Sequence, residues 1–466
     1  MRIGAVVLAA GHGTRMRSSL PKVLHPVAGR PILQWVLSSL RSTRIVDLVI
    51  VVGPEGEAVR QASPDSVRFA VQHERLGTGH AASVGLAALD PDCDTVLVLC
   101  GDTPLITVDL VAELVACHEA KRGAGSMVTA VLDRPESYGR VVRGSLGEVA
   151  RIVEARDATG EQLAIDEVNA GLYCLDRAAL TSALGRVGKQ NDQNECYLTD
   201  AVTDLGASLW PVVASDADVI LGVNSRVDLA VCEQIAQGRL RRALMLSGVA
   251  MPDPSSVYLG IDVQVGPDTT LWPGTHLRGE TLIGSGCDIG PDVVIADTKV
   301  GDGSRILSAN IRESVIGVGC EVGPFAYLRP GVSLDDGSKI GTFVEAKNST
   351  LGRGAKVPHL SYVGDAEIGD GANIGAGNIT ANYDGFRKHR TVIGAGVKTG
   401  SDCVFVAPVR VGSFAMTGAG SIITHDVPDG ALGIARARQS VIEGFTEKAE
   451  AKARAAADAS SAGQPA

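Results

Sequence analysis

The residues best suited to chemistry lie in a loop near the start of the chain. Residues 8–22 read L-A-A-G-H-G-T-R-M-R-S-S-L-P-K and directly follow an apolar run, I-G-A-V-V. Glycines let main-chain N–H groups approach a polyphosphate, and Arg15 and Lys22 supply positive charge that neutralises it. The loop therefore predicts an enzyme that uses a nucleoside triphosphate.

Two other interpretations of this loop are a dinucleotide-binding turn and a purely structural turn. Its G-H-G is half of a G-x-G-x-x-G fingerprint, but Met16 stands at the third glycine, where it would obstruct helix–strand packing. The next apolar run ends at Gly53-Pro54, without the acid that binds a ribose. A structural turn needs neither Arg15 nor Lys22. The triphosphate interpretation is therefore favoured.

The elements that must position this loop alternate over the first 225 residues. Apolar runs separated by helical patterns occur at 49–52, 96–100, 127–132 and 171–175. This alternation indicates a Rossmann-like α/β domain around a mostly parallel sheet. Ligands of such sheets bind beyond the carboxyl ends of the strands. The glycine loop and Gly101-Asp102 both fall at such ends, so we expect them to share one site.

The period of the apolar pattern changes in the second half of the chain. Residues 226–246 have helical spacing, which predicts a connecting helix before Pro252 and Pro254. Beyond it, apolar residues recur every six positions, at Leu259, Val265, Leu271, Leu277, Ile283, Ile289 and Ile295, at Ile316, Val322, Leu328, Leu334 and Ile340, and at Ile393, Phe405, Val411 and Ile423 with Thr399 and Thr417 between. Hexads of this length indicate a parallel β-helix, in which each aliphatic side chain points into a narrow prism.

These patterns divide the chain into four parts. They are an α/β domain at 1–225, a linker helix at 226–247, a hexapeptide β-helix at 248–446 and a tail at 447–466. The segment between Ile374 and Ile393 breaks the hexads, and such an excursion usually lies on the binding face of a solenoid, although a solvated loop is the alternative. The tail is rich in Ala, Glu and Lys, and we expect a frayed helix followed by disorder.

Composition excludes several classes of function. The 466 residues carry 53 acids against 43 bases, a net charge of −10, which argues against a nucleic-acid partner. No apolar run approaches the ~18 residues that span a bilayer, so we expect no membrane association. The nine cysteines include no C-x-x-C pair and fit reduced, buried thiols rather than disulfides or a zinc site. We therefore expect a cytoplasmic protein.

The two halves together resemble the bifunctional bacterial N-acetylglucosamine-1-phosphate uridylyltransferase/glucosamine-1-phosphate N-acetyltransferase family. Besides the glycine loop, the matching motifs are Q…G-T-G-H-A at 72–81, G-D at 101–102, Y-L-T-D at 197–200, L-G-V-N at 221–224, L-R-P-G at 328–331, E-A-K-N at 345–348, P-H-L-S-Y-V-G-D at 358–365, N-I-G-A-G at 373–377 and N-Y-D-G at 382–385. The resemblance covers nearly everything except the tail. It implies that the β-helix is left-handed and that the protein is a homotrimer with acetyl-transfer sites between subunits.

In the N-terminal half, the resemblance implies a site for UTP and a sugar phosphate. The matching residues are Leu8, Ala9, Ala10, Gly11, Lys22, Gln72, Gly77, Thr78, Cys100, Gly101, Asp102, Gly139, Glu154, Asn169 and Asn224. Asp102 and Asn224 match the ligands of Mg²⁺, a hard cation that prefers oxygen. A sugar phosphate oxygen attacks the α-phosphorus of UTP directly, so no protein nucleophile is needed. We expect Arg15 and Lys22 to be catalytic by neutralising the developing charge.

In the C-terminal half, the resemblance implies acetylation of an amine by acetyl-CoA. The attacking amine must lose a proton, which requires a base with a pKa near neutrality, and His359 matches the family's base. The residues that match the sugar-phosphate and acetyl-CoA sites are, respectively, Arg329, Lys347, Tyr362 and Asn373, and Ala376, Asn382, Tyr383, Ser401, Ala419 and Arg436. We add the hypothesis that Arg387, Lys388 and Arg390 attract the phosphates of acetyl-CoA.

The resemblance thus implies synthesis of UDP-N-acetylglucosamine, a precursor of peptidoglycan and other envelope polymers of the lipopolysaccharide type. Three alternatives are a nucleotidyltransferase with a non-catalytic β-helix, a structural trimer with a decayed nucleotide domain, and two enzymes with another base or sugar, such as a thymidylyltransferase. The motif around His359 opposes the first alternative. Arg15, Lys22, Asp102 and Asn224 oppose the second. The motifs distinguish the third least well.

Overall fold

The protein is described here by a computed structural model that covers residues 1–41, 43–187 and 195–461. It divides into two compact units. The first contains Met1–Pro267 and Pro273–Thr281, and the second contains Asp268–Trp272 and the chain from Leu282 onward. The domain boundaries expected from the sequence, at 225, 247 and 446, stay predictions.

The larger part of the first unit is an α/β fold. Its strands are β1 (Ile3–Leu8), β2 (Pro26–Val27), β3 (Arg30–Pro31), β4 (Ile45–Val52), β5 (Arg68–Val71), β6 (Thr95–Cys100), β7 (Gly125–Val131), β8 (Arg140–Arg143), β9 (Val149–Val153), β10 (Glu167–Asp176) and β11 (Leu209–Val213). Its helices are α1 (Ile32–Ser39), α2 (Glu57–Gln61), α3 (Thr78–Ala88), α4 (Val108–Lys121), α5 (Gly160–Leu163), α6 (Arg177–Arg186), α7 (Leu198–Thr203) and α8 (Arg226–Leu246).

The main sheet is mostly parallel, as predicted. Its strand order is β11-β7-β10-β6-β1-β4-β5, and only β10 runs antiparallel to its neighbours within this row. Alternate residues of β1 enter different apolar cores, since Val7 packs in one cluster and Val6 in the other. Both are fully buried. A sheet covered on both faces explains why its strands read as continuous apolar runs.

Helix α8 lies where the sequence predicts a helix. Ser225 caps its first turn, and Asp228 completes the capping box by accepting a hydrogen bond from the Ser225 main-chain N–H at 2.8 Å. Cys232 and Ala236 are buried in a cluster that also contains Met16 of the glycine loop. Helix α8 therefore packs against the glycine loop through Met16.

Short strands follow along the rest of the chain. They are β12 (Tyr258–Leu259), β13 (Gln264–Val265), β14 (Thr270–Leu271), β15 (His276–Arg278), β16 (Leu282–Ile283), β17 (Asp288–Ile289), β18 (Val294–Ala296), β19 (Lys299–Val300), β20 (Arg305–Ile306), β21 (Ala309–Arg312), β22 (Val315–Ile316), β23 (Glu321–Val322), β24 (Ala326–Leu328), β25 (Ser333–Leu334), β26 (Lys339–Thr342), β27 (Glu345–Lys347), β28 (Thr350–Leu351), β29 (Lys356–His359), β30 (Tyr362–Gly364), β31 (Ala366–Ile368), β32 (Ile379–Ala381), β33 (Thr391–Ile393), β34 (Val404–Val406), β35 (Val409–Val411), β36 (Met416–Thr417), β37 (Ile422–Ile423) and β38 (Leu432–Gly433).

The second unit is a parallel β-helix, consistent with the left-handed coil that was expected. Its strands stack in three long parallel sheets. One of these sheets has the strand order β14-β17-β20-β23-β26-β29. The hexad aliphatics fill the interior: Leu271 pairs in register with Ile289 and Ile316 with Leu334, and each is buried. The hexad prediction is therefore confirmed by side chains that stack one above the other.

The excursion from the coil is confined to residues 382–390, between β32 and β33. An antiparallel bridge between Tyr383 and Lys388 closes this loop, and Asp384 accepts hydrogen bonds from the main-chain N–H groups of Phe386 and Arg387, both at 2.7 Å. Near the end of the chain lies helix α9 (Phe445–Ser461), and the expectation of disorder at 462–466 falls outside the described residues. Across the described part of the chain, no helix is both long and apolar enough to span a membrane.

Candidate active sites

The glycine loop follows β1 and folds back on itself, so that Lys22 packs against Gly13. Gly13 has a φ of 60°, and a Cβ there would lie 2.8 Å from the Cβ of Lys22, so only glycine allows this approach. The Lys22 ammonium donates to the carboxylate of Asp102 and, at 3.1 Å, to Oδ1 of Asn224. Three segments far apart in sequence therefore converge on one point.

Asp102 and Asn224 fit the divalent cation that the sequence predicts. Asp102 follows β6 and Asn224 precedes α8, and each presents an oxygen to the same ammonium. One carboxylate and one amide oxygen suit Mg²⁺, which usually completes its shell with water and substrate phosphates. The position where Lys22 now lies is thus one that already accommodates a positive charge.

Two cavities meet at this cluster. The first, of about 360 Å³, is lined by ten of the predicted residues, namely Leu8, Ala9, Ala10, Gly11, Lys22, Gln72, Gly77, Thr78, Cys100 and Asp102. Gly101 lies directly behind this wall, where its main-chain N–H donates to the carbonyl of Leu8 at 2.9 Å. His12 and Arg75 also line this cavity, and neither was predicted from the sequence.

The second cavity, of about 630 Å³, shares Cys100 and Asp102 with the first. The other predicted residues that line it are Arg15, Gly139, Glu154, Asn169 and Asn224. Arg15 was expected to neutralise the triphosphate beside Lys22, and it instead lines this cavity. Burial raises the pKa of the Cys100 thiol to about 12, so the wall between the cavities is uncharged at this residue.

Two residues that the sequence analysis did not select hold the polar groups of the second cavity. The Thr199 hydroxyl donates to Oε1 of Glu154 at 2.8 Å. The hydroxyl of Tyr173, a buried residue, accepts from Nδ2 of Asn169 at 2.7 Å. Thr199 lies in the Y-L-T-D motif, which was a signal, whereas nothing in the sequence distinguished Tyr173 from any other apolar strand position.

Glu154 and Asn169 are consequently fixed in orientation. Asn169 also accepts, at its Oδ1, a hydrogen bond of 3.0 Å from the main-chain N–H of Gly171. Burial raises the pKa of Glu154, and the hydrogen bond from Thr199 opposes this rise. The cavity therefore offers an amide and a carboxyl group whose geometry is set before any ligand enters.

In the β-helix, the residues predicted to bind the sugar phosphate lie on neighbouring coils. Arg329 follows β24 and donates to Oε1 of Glu345 at 3.0 Å, and Glu345 pairs in register with Tyr362 of the next coil. Asn373 lies one coil above Lys356 in β29, the strand that ends at His359. Parallel stacking thus places Arg329, Tyr362 and Asn373 against residues that are 16 or 17 positions away in sequence.

A compact polar cluster surrounds Asp365. Its carboxylate accepts from Asn348 at 2.6 Å and from Asn382, and it lies 3.8 Å from the ammonium of Lys347. Burial alone would raise the pKa of Asp365, but these two amides and the nearby lysines lower it below its ordinary value. Lys388 lies against Lys347, which lowers the pKa of Lys388. Two ammonium groups side by side favour an anionic ligand here.

Four predicted residues form a ladder along one corner of the β-helix, which we call the corner ladder: His359, Ala376, Ser401 and Ala419. The main-chain carbonyls of the first three accept hydrogen bonds from the next coil, at 3.4, 2.7 and 2.9 Å. A Cβ on Gly400 would lie 2.4 Å from the main-chain nitrogen of Ala419, so glycine permits the close stacking. The imidazole-bearing residue of the ladder, His359, is exposed.

The remaining predicted residues are exposed. Tyr383 lies at the base of the loop at 382–390, and Arg436 lies in the segment after β38. Of the three cations assigned by hypothesis to the phosphates of acetyl-CoA, Lys388 contacts Lys347 and Arg390 pairs with Glu367. This loop therefore faces the polar cluster through Lys388.

The fold and the two candidate sites define a nucleotidyltransferase that also carries a hexapeptide-repeat acyltransferase. The family model of the MobA-like NTP transferase domain matches residues 5–169. The bifunctional protein GlmU of Heliobacterium modesticaldum is 49% identical over 95% of this chain and 97% of its own length. The corresponding values are 48%, 93% and 96% for GlmU of Trichlorobacter lovleyi, and 46%, 98% and 94% for that of Mycobacterium sp. strain KMS. The chain belongs to the GlmU family of bifunctional proteins.

A solved structure of UDP-glucose pyrophosphorylase complexed with UDP-glucose aligns with 51% of this chain and 100% of its own. The identity is 18% and the TM-score is 0.44, so this likeness adds nothing to the assignment.

Proposed function

We propose that this bifunctional enzyme makes UDP-N-acetylglucosamine at two separate sites. The β-helix acetylates glucosamine-1-phosphate with acetyl-CoA, and the α/β fold then transfers uridylyl from UTP to N-acetylglucosamine-1-phosphate. The observation that supports the second step best is the convergence of Lys22, Asp102 and Asn224 where two cavities meet. A reaction between two phosphates needs such a junction.

In uridylyl transfer, UTP occupies the first cavity and the sugar phosphate the second. A phosphate oxygen of the sugar attacks the α-phosphorus, the bond from that phosphorus to the bridging oxygen breaks, and pyrophosphate leaves. Lys22 and Arg15 neutralise the charge that develops, and the main-chain amides of the glycine loop orient the phosphates. Gly139, Glu154 and Asn169 bind the sugar.

Asp102 and Asn224 would hold Mg²⁺. Bound there, the cation would neutralise phosphate charge as a Lewis acid. Lys22 would then release both oxygens and turn its ammonium to the substrate phosphates. Lys22, Asp102 and Asn224 would therefore place positive charge at the substrate phosphates, Lys22 by its ammonium and the other two through the cation.

In acetyl transfer, the amine of glucosamine-1-phosphate attacks the thioester carbonyl carbon, and the carbon–sulfur bond breaks to release the thiolate of coenzyme A, which is protonated to the thiol by the proton that the amine gives up. His359 accepts the proton that the amine loses. Arg329 and Lys347 bind the sugar phosphate, and the contact between Lys388 and Lys347 supports adding Lys388 to that set. Tyr362 and Asn373 orient the sugar, and the corner ladder with Asn382, Tyr383 and Arg436 binds acetyl-CoA.

We also propose a homotrimer that works in the cytoplasm. Phe325 and Phe343 stack at 5.3 Å between ring centroids and are exposed, as is Leu360 on the next coil. Exposed apolar groups of this size favour an interface between subunits. All nine cysteines carry thiols rather than disulfides, in keeping with a reducing compartment. Light scattering after gel filtration would report the mass of the assembly.

The test of function is release of free thiol from acetyl-CoA by the purified protein. We expect release with glucosamine-1-phosphate and none with glucosamine-6-phosphate, and production of pyrophosphate from UTP with N-acetylglucosamine-1-phosphate. Protein that produces pyrophosphate but releases no thiol would contradict an acetyltransferase site in the β-helix. Comparable turnover of dTTP and UTP would instead contradict the choice of uridine.

A further inference from the structure

Arg75 joins the glycine loop to the turn that follows β4. Its Nε donates to the main-chain carbonyl of Ala10 at 3.2 Å, its Nη1 contacts Nε2 of His12, and its Nη2 donates to Oε2 of Glu55 at 2.5 Å. A guanidinium carries its donors in a rigid planar fork. One side chain therefore fixes two residues of the loop against one residue of the neighbouring turn.

Gly53 provides the space in which this guanidinium lies. A Cβ on Gly53 would lie 2.7 Å from Nη2 of Arg75 and 3.3 Å from Oε2 of Glu55, with nothing else closer. Both are the far ends of flexible side chains, and Gly53 does not have the positive φ that would exclude alanine. Alanine at 53 would consequently displace the guanidinium without disturbing the main chain.

Arg75 is also a wall of the first cavity. It lines that cavity and another of about 310 Å³, to which Ser18 and Ser19 of the same loop also contribute. The ammonium of Lys22 is bound to Asp102, so it does not tie down the loop at Ala10 and His12. Arg75 instead holds that part of the loop through its contacts with Ala10 and His12.

We infer that Arg75 is a positioning residue for the nucleoside triphosphate, because it fixes the part of the glycine loop whose main-chain amides approach the phosphates. This inference rests on the proposed function, which places UTP in the first cavity. A preorganised loop binds its ligand more tightly than one that must be ordered on binding. Loss of Arg75 should therefore weaken UTP binding and leave the sugar phosphate site unchanged.

The experiment measures the KM of each substrate of uridylyl transfer in two variants. In Arg75→Gln we expect the KM for UTP to rise about tenfold, which corresponds to one charge-assisted hydrogen bond, with the KM for N-acetylglucosamine-1-phosphate and the thiol release from acetyl-CoA unchanged. Gly53→Ala, which keeps Arg75 in the chain, should raise the KM for UTP to a similar extent. Arg75→Lys keeps the positive charge but not the planar fork, so its KM for UTP should lie between those of Arg75→Gln and the natural protein.

Arg68→Gln is the matched control. Arg68 lies on β5 and donates to Asp47 at 2.9 Å in an exposed ion pair, so its loss should leave the KM for UTP unchanged. An unaltered KM for UTP in both Arg75→Gln and Gly53→Ala would overturn the inference. So would equal rises in the KM of both substrates together with a lower melting temperature, since that result indicates a structural role only. Failure of the natural protein to produce pyrophosphate would instead contradict the proposed function.

Discussion

Glu154 and Thr199 form a pair in which a hydroxyl group stabilises the ionised form of a partly buried carboxyl. Burial raises the pKa of Glu154, and the hydrogen bond of 2.8 Å from Thr199 stabilises the ionised form and limits that rise. Asp200 and Asp157 act in the same direction as burial, and Arg156 opposes them. In the proposed function Glu154 binds the sugar, and a sugar hydroxyl that donates to it is bound best by the carboxylate. We therefore expect this pair to determine the acid limit of sugar binding.

Replacing Thr199 with valine should move that limit upward. Without the donor, the ionised form of Glu154 is less stable and its pKa rises, so kcat/KM for the sugar phosphate should fall first at low pH and remain near normal at pH 8. A hydrogen bond to a charged group is worth about 1.5–3 kcal/mol, so the acid limb should shift by about 1 pH unit or more. The measurement is a pH profile of uridylyl transfer at low sugar phosphate concentration.

Thr199→Ser is the control, because it retains the hydroxyl and should restore the profile. A profile in Thr199→Val that coincides with that of the natural protein would disprove the link between Thr199 and Glu154. The KM for UTP should be the same in all three proteins, since Thr199 does not line the first cavity.

Single residues also show what the sequence could and could not predict. Lys22, Asp102 and Asn224 were selected from motifs, and the fold brings them together because two strands end and a helix begins at one edge of the sheet. Arg75 and Tyr173 were missed, since each acts through a partner more than three residues away in sequence. Such pairings depend on the packing of the folded chain, which a local motif does not encode.

At the scale of elements, the first turn of α8 fixes the position of Asn224, one of the two candidate metal ligands. Asp228 accepts hydrogen bonds from the main-chain N–H groups of Asn224 at 2.9 Å and Ser225 at 2.8 Å. A helix cap therefore also fixes the residue that carries the amide oxygen of the site.

Asp228→Ala should reduce uridylyl transfer through this cap. Loss of a cap costs about 1 kcal/mol of stability, and the freed Asn224 should bind its cation more weakly. We expect the Mg²⁺ concentration that gives half-maximal pyrophosphate release to rise several-fold, while thiol release from acetyl-CoA stays constant. Asp218→Ala, at a short helical turn nearby in sequence, should leave the Mg²⁺ dependence unaltered. An unchanged Mg²⁺ dependence in Asp228→Ala would contradict the prediction that this helix cap orients Asn224 for Mg²⁺.

Within the β-helix, Asn378 fills a corresponding structural role beneath the corner ladder. Its buried amide donates to the carbonyl of Gly375 at 2.7 Å, to the hydroxyl of Thr399 at 2.8 Å and to the carbonyl of Gly400 at 3.1 Å, and it accepts from the Cys403 N–H at 2.8 Å. Each partner would lose the hydrogen bond that it makes with this buried amide if the amide were removed.

Asn378→Leu should therefore destabilise the β-helix by roughly 2–4 kcal/mol, the cost of several unsatisfied buried groups. Acetyl transfer should fall, because Gly375 and Gly400 precede ladder positions Ala376 and Ser401. Thermal unfolding monitored together with thiol release tests this prediction. Asn310→Leu, on a partly exposed strand position, should have a much smaller effect, and equal effects of the two substitutions would contradict the role assigned to Asn378.

At the scale of the whole molecule, the two chemistries depend on different residues and should fail separately. His359→Ala should abolish thiol release and leave pyrophosphate release intact, because His359 belongs to the β-helix unit. Removing Mg²⁺ with EDTA should have the opposite effect, since Asp102 and Asn224 belong to the other unit. Loss of both activities in either experiment would show that the two sites are not independent.

The architecture was the most predictable property of this molecule. The hexads from Leu259 onward predicted the β-helix because its period is set by the geometry of one coil and repeats many times. The alternating apolar runs predicted the sheet for the same reason. The antiparallel direction of β10 within that sheet was not predicted, since an apolar run has the same composition in either direction.

If acetyl-CoA binds as proposed, the corner ladder has a consequence for the length of that ligand. Stacked strands lie about 4.8 Å apart, so Ala376 and Ala419, separated by two coil steps, define a span of about 10 Å parallel to the stack. The number of coils thus determines the length of ligand that the ladder can contact, in steps of one coil. Removing one complete coil would keep every aliphatic in register yet shorten that length by about 5 Å, so the chain would fold and no longer match an extended cofactor at both ends.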